Sequence, residues 1–101
     1  MTEEHLWKIW KPRLRGWWEL VEVYQPLGYP DVYGIHEVQP QYLELKVGPP
    51  RPGLLRPSQR IWLRRWWELG GVAHIMVGDA DHILFFKDLD LRRPVEVPFY
   101  R

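Results

Sequence analysis

The chain has 101 residues, enough for one domain with a thin margin of buried surface. Hydrophobic residues make up 46% and charged residues 27%, a globular balance, not a disordered one. No cysteine is present, which excludes a disulfide scaffold, a thiolate zinc site and a cysteine nucleophile, and agrees with a cytoplasmic setting. Net charge is +1, so overall charge alone does not argue for nucleic-acid binding. No apolar run is long enough to span a bilayer, and the acidic, then amphipathic start MTEEHLWKIWK lacks the pattern of a signal peptide.

Thr2 is placed to cap a helix whose first turn holds Glu3 and Glu4, where the helix dipole favours acids. Leu6, Trp10 and Leu14 recur at helical spacing, and Pro12 ends or kinks this helix after about ten residues. Residues 18–25 alternate as a strand, PLGYP is a turn cluster, and residues 31–38 form a second strand. Gln39-Pro40-Gln41 is read as the next turn. Residues 42–47 then alternate clearly, with Leu43, Leu45 and Val47 on one face and Tyr42, Glu44 and Lys46 on the other. The stiff loop GPPRPG leads to a helix starting at Ser58, loaded with Ile61, Trp62, Leu63, Trp66 and Trp67 and stopped by Gly70-Gly71. Residues 72–77 and 82–87 read as two more strands, and the tail DLDLRRPVEVPFYR has too little pattern to assign. The order α-β-β-β-α-β-β predicts a small α/β domain with one mixed sheet and helices packed on it.

Ionisable residues concentrate on the hairpin of the second and third strands. Glu44 and Lys46 share a face, about 7 Å apart along the strand. A turn at Gln39-Pro40 would pair Lys46 with Tyr33, leaving Asp31 two residues further on the same face, so that a modest bend or bulge brings its carboxylate beside Glu44. Two carboxylates converging at a sheet end make a hard-oxygen site suited to Mg²⁺ or Mn²⁺. A cation there could polarise a phosphate and activate water, and Lys46 could neutralise the charge that develops in the transition state. Together these are the minimum for phosphodiester hydrolysis.

The same residues carry a resemblance. Pro30-Asp31, followed thirteen residues later by Glu44-Leu45-Lys46, resembles the PD-(D/E)xK nuclease signature. The surrounding GYPDVYG, YLELK, LRPSQRIWLRRWWELGGVA and VGD are similar to the VRR-NUC family, the virus-type replication-repair nucleases, over about residues 3–87. The resemblance implies a small restriction-endonuclease-like domain in which Asp31 and Glu44 bind Mg²⁺ or Mn²⁺ with the Leu45 carbonyl, Lys46 is the catalytic lysine, and Gln59 supports the site from its helix. It also implies an acidic residue on the first helix; Glu3 matches that place, with Glu4 as the alternative. Standalone phage and bacterial members of the family act as homodimers on branched DNA such as four-way junctions, within the bacterial or phage-infected cell. No organic cofactor and no membrane are implied.

Each residue also has a plainer explanation. An aspartate after proline is common in turns, Glu44 and Lys46 could be the solvated face of an edge strand, and Glu3 and Glu4 could serve only the helix dipole. Arg51, Arg56, Arg60, Arg64 and Arg65 fall within fifteen positions and form a local basic stripe. Arg51 and Arg56 in the loop, and Arg60 and Arg64 on one helix face, are candidates to contact DNA phosphates, or else they solubilise a tryptophan-rich helix. The pairs Trp17-Trp18 and Trp66-Trp67 cannot all face one core, so at least one of each should lie at a surface suited to self-association. His5, His36, His74 and His82 have no zinc-ligand spacing. The rival reading is a non-catalytic DNA-binding or assembly module on the same fold. A third is a nuclease acting on linear duplex or flap DNA.

Overall fold

Thr2 Oγ1 accepts a hydrogen bond from the His5 N–H at 3.1 Å and starts α1 (Glu3–Trp10). Pro12 closes α1 as expected, by turning it into a single 3₁₀ turn, Lys11–Arg13, whose first positions need no N–H donor. The computed structural model describes residues 1–21 and 28–101. After the 3₁₀ turn come β1 (Trp17–Leu20), β2 (Val32–His36), β3 (Gln39–Val47), α2 (Pro57–Glu68), β4 (Ala73–Gly78), β5 (Ile83–Phe86) and the two-residue β6 (Pro94–Val95). The α/β class and the single mixed sheet match the expectation from sequence, and so does the element order as far as β5; β6 is a further strand supplied by the unassigned tail. Among the described residues the sheet has six strands in the order β1-β2-β3-β4-β5-β6, antiparallel except for the parallel pair β3–β4 that α2 connects. Of the strand expected over residues 18–25, residues 18–20 are in β1, which begins one residue earlier at Trp17, and residues 22–25 lie outside the described residues.

The sheet carries a core on each face, as the alternation in β3 requires. Val32, Leu43, Leu45, Met76 and Phe85 pack under Leu6, Trp7 and Trp10 of α1. Ala73, Ile75, Val77 and Phe86 pack under Leu63 of α2. The unassigned tail completes the first of these cores. Val97 and Phe99 are buried there, the Arg15 N–H donates to the Phe99 carbonyl at 2.7 Å, and Leu14 bridges Tyr100. No helix among the described residues is long and apolar enough to cross a membrane.

Two local expectations are corrected. The β2–β3 turn is Glu37-Val38, not Gln39-Pro40-Gln41; Glu37 takes a left-handed φ of 57°, and His36 pairs with Gln39. Pro40 sits inside β3, opposite Ile35. It is tolerated because β4 joins β3 only from Tyr42 onward, so the strand edge at Pro40 needs no N–H donor. The helix start moves as well: Pro57 is its first residue and Arg56 its N-cap, where Ser58 had been expected to begin it.

Of the tryptophan pairs, Trp17 is 58% exposed while Trp18 is buried. Trp66 and Trp67 are both half-buried, their indole N–H groups donating to the Val72 and Ala73 carbonyls at 3.0 Å each.

Candidate active site

The corrected turn shifts the hairpin register by four residues from the expected one. Val32 pairs with Leu43, so continuing the ladder by one residue sets Asp31 directly across from Glu44 with no bend or bulge. Asp31 Oδ2 accepts from the Leu45 N–H at 2.8 Å, which anchors the aspartate to β3. Gly28 and Pro30 prepare this approach. Gly28 has a φ of +94°, and a Cβ there would overlap the Ser58 carbonyl, so glycine lets the segment before β2 lie against the first turn of α2. Pro30 is fully buried behind it.

Glu44 is 1% exposed. Gln59 Nε2 donates to its Oε1 at 2.7 Å, and Gln59 Oε1 accepts from the Arg56 N–H at 2.9 Å, so one amide ties α2's first turn to β3. The other carboxylate oxygen, Glu44 Oε2, is buried with no hydrogen-bond partner. Burial, reinforced by the negative charge of Asp31, pushes the Glu44 carboxyl far above the usual carboxylate range, against the opposing pull of Lys46. A buried carboxylate with a free oxygen beside a second carboxylate is stabilised by a proton or a cation.

Lys46 points to the same face as Glu44 and is nearly buried. Its ammonium lies 3.8 Å from Glu3 Oε1, at the start of α1. Burial and the charge of Asp31 raise the Glu3 carboxyl, while Lys46 and Arg56 lower it. Glu4 turns away and pairs with Lys8 at 3.7 Å on the exposed side of the helix. The structure therefore gathers Asp31, Glu44, Lys46, Gln59 and Glu3 at one place, and leaves Glu4 out.

The donor set fits a hard divalent cation. The unpaired Glu44 Oε2, the neighbouring Asp31 carboxylate, the Leu45 carbonyl between Glu44 and Lys46, and Glu3 beside Lys46 are all oxygen donors. Among the described residues, no three His, Asp or Glu side chains are by themselves gathered closely enough to hold a metal ion, so the Leu45 carbonyl would have to complete the set.

The arginines separate. Arg51, Arg56 and Arg64 are exposed, and Arg56 stands close enough to act on Glu3. Arg60 is engaged elsewhere, donating to the Leu89 carbonyl and to Asp90 Oδ1 at 3.0 Å each. It clasps the tail to α2, while Arg64, one turn further along the same helix, is exposed. Sequence reading also passed over four exposed cations, Lys8, Lys11, Arg13 and Arg15, because it weighed the first helix only by its apolar stripe and its two glutamates.

No family model matches the chain, and no curated protein matches it. Among solved structures, the 1.6 Å structure of Hjc from Archaeoglobus fulgidus, a Holliday junction resolvase from an archaeal hyperthermophile, aligns with 84% of this chain and 74% of that one, at 17% sequence identity and a TM-score of 0.47.

Proposed function

We propose that this chain is a divalent-metal-dependent endonuclease of the PD-(D/E)xK type that hydrolyses phosphodiester bonds in DNA. The observation that carries the reading is Glu44 Oε2, buried and unpaired beside Asp31, with Lys46 on the same face and Gln59 fixing the other oxygen. Asp31, Glu44, the Leu45 carbonyl and Glu3 would hold Mg²⁺ or Mn²⁺. When bound, such a cation polarises the scissile phosphate and lowers the pKa of a water.

The chain's own residues do the rest. Gln59 fixes the Glu44 carboxylate, and the Leu45 N–H fixes Asp31, so the oxygens need little rearrangement when substrate arrives. Lys46, restrained by Glu3, places a positive charge where the pentacoordinate phosphorus gathers negative charge. Hydrolysis adds water across one P–O bond, leaving a phosphate monoester end and a hydroxyl end.

The motif order GYPD, ELK and PSQ supports the finer reading of a VRR-NUC-type enzyme acting on branched DNA such as four-way junctions. Exposed Trp17, Ile61 and Leu69, the last two 67% and 81% exposed, support association of two copies.

Cleavage of a labelled four-way junction and a matched linear duplex, each with Mg²⁺, Mn²⁺ or EDTA, tests the reading for wild type and Lys46→Ala. Metal-dependent cutting of the junction that disappears in the variant supports it. Cutting of linear duplex alone keeps the chemistry and removes the junction preference. Binding without cutting under every condition overturns the nuclease and favours a DNA-binding module.

A further inference from the structure

The site accounts for Glu3, at the first turn of α1, but leaves the cations at the other end of that helix without a role. Lys11, Arg13 and Arg15 are exposed, and among the described residues none of them takes part in an ion pair. Two are held in place. The Lys11 ammonium lies over the Trp7 ring, 6.0 Å from its centroid, and the Arg13 guanidinium lies over the Trp10 ring at 5.3 Å. Both rings are buried, and the Trp10 indole is fixed further by donating to the Asp79 carbonyl at 2.8 Å. The cations thus rest on rigid platforms, and less side-chain freedom is lost when they meet an anion. Among the described residues, the acids near them are Glu19 on β1 and Glu4, the latter engaged with Lys8.

Their spacing from the site has a meaning. α1 starts beside Lys46 and rises about 1.5 Å per residue, so its eight residues carry Lys11 roughly 12 Å away. That is about three to four base-pair steps of 3.4 Å along one strand. Lys11 and Arg13 lie in the 3₁₀ turn that follows α1 and Arg15 two residues beyond it, so the exposed charges are strung along the chain, which suits a repeating polyanion better than a single small anion.

We propose that Lys11, Arg13 and Arg15 form a phosphate-backbone track that holds a duplex DNA arm leading into the site. The choice of DNA rests on the nuclease reading above; the position of the track does not. The track reads no sequence, since phosphate contacts fix register and carry no base information.

The test is the salt dependence of binding to a short labelled duplex in EDTA, followed by anisotropy between about 50 and 200 mM salt. Replacing all three (Lys11→Gln, Arg13→Gln, Arg15→Gln) should make the slope of log K against log salt shallower by about 2 to 3 units, since each lost phosphate contact removes ~0.9. At about 0.1 M salt that corresponds to a loss of affinity of roughly 100- to 1,000-fold. A control with the same charge change at the other end of β5 (Lys87→Gln, Arg92→Gln, Arg93→Gln) should keep the wild-type slope. Each single replacement should lower the slope by roughly one unit, which decides the matter should the triple variant fold poorly. An unchanged slope in the track variants, or an equal loss in the control, overturns the track. Wild type that cuts DNA while the track variants bind normally removes the track and leaves the nuclease standing. Wild type that neither binds nor cuts duplex or junction removes both.

Discussion

Gln59 Nε2 donates to Glu44 Oε1 at 2.7 Å across the gap between α2 and β3, and this one bond fixes which oxygen of the glutamate stays free. Because Gln59 is also held by the Arg56 N–H, the free oxygen is set by helix geometry and not by a loop.

Gln59→Ala should therefore act on stability and chemistry together. It leaves Glu44 Oε1 as well as Oε2 buried without a partner, at a cost of about 1–3 kcal/mol. Denaturant unfolding measures that cost, and junction cleavage should fall beyond what the lost folded fraction explains.

Glu44→Gln should have the opposite effect on stability. The amide oxygen can still accept from Gln59, and its NH₂ can donate toward Asp31, so the site no longer depends on the proton that burial and Asp31 make Glu44 hold. The variant should gain about 1–2 kcal/mol, seen as a higher melting temperature without metal, while losing cleavage. Added Mn²⁺ should raise the melting temperature of wild type and leave this variant unmoved. A variant less stable than wild type would contradict the unfavourable burial of Glu44 beside Asp31.

Lys46→Ala should reduce cleavage by about 10²–10³-fold, in the range found when a transition-state charge stabiliser is removed, with DNA affinity nearly unchanged. Single-turnover rates beside anisotropy separate the two effects.

Gly28→Ala should destabilise the fold, since its φ of +94° disfavours a side chain and the new methyl would press on the Ser58 carbonyl. The conformational part alone is about 1–2 kcal/mol. Thermal unfolding gives the size, and the change should also loosen Asp31, three residues on.

His74 makes stability depend on pH. It is buried, its Nδ1 lies 3.2 Å from Gln41 Oε1, and burial, with Lys87 adding to it, lowers its pKa to about 4. In the unfolded chain it takes a proton near pH 6.5, and in the folded chain only near 4. The stabilisation is complete above pH 6.5 and declines as the pH falls towards 4, by up to about 3 kcal/mol. The difference in unfolding free energy between wild type and His74→Gln, followed from pH 7 to 4, should shrink by that order if His74 is the cause.

Much of this was legible in the chain. Alternation in residues 42–47 assigned each side chain of β3 to its face, and the order of GYPD, ELK and PSQ brought the site residues together. The hairpin register was not legible, because Pro40 is a strong turn signal and only the absence of a β4 partner there lets it lie in a strand. Glu3 and Glu4 are equivalent to the helix dipole; only the third dimension turns one toward Lys46 and the other toward Lys8. Arg60 looked free because its partners, Leu89 and Asp90, lie some thirty residues later. The tail hid a period of two in Val95, Val97 and Phe99 behind two prolines.

The bond between Arg15 and Phe99 has a bearing on how the protein is made. α1 is translated early, but the surface it packs on is completed by Val97 and Phe99, and its exit is tied to residues 99–100. Contacts this distant in sequence form slowly and only when both partners are out of the ribosome. A half-made chain therefore lacks part of the surface that seats α1, and a nascent fragment ending before the tail should hold Glu3 less firmly beside Lys46 than the whole chain does.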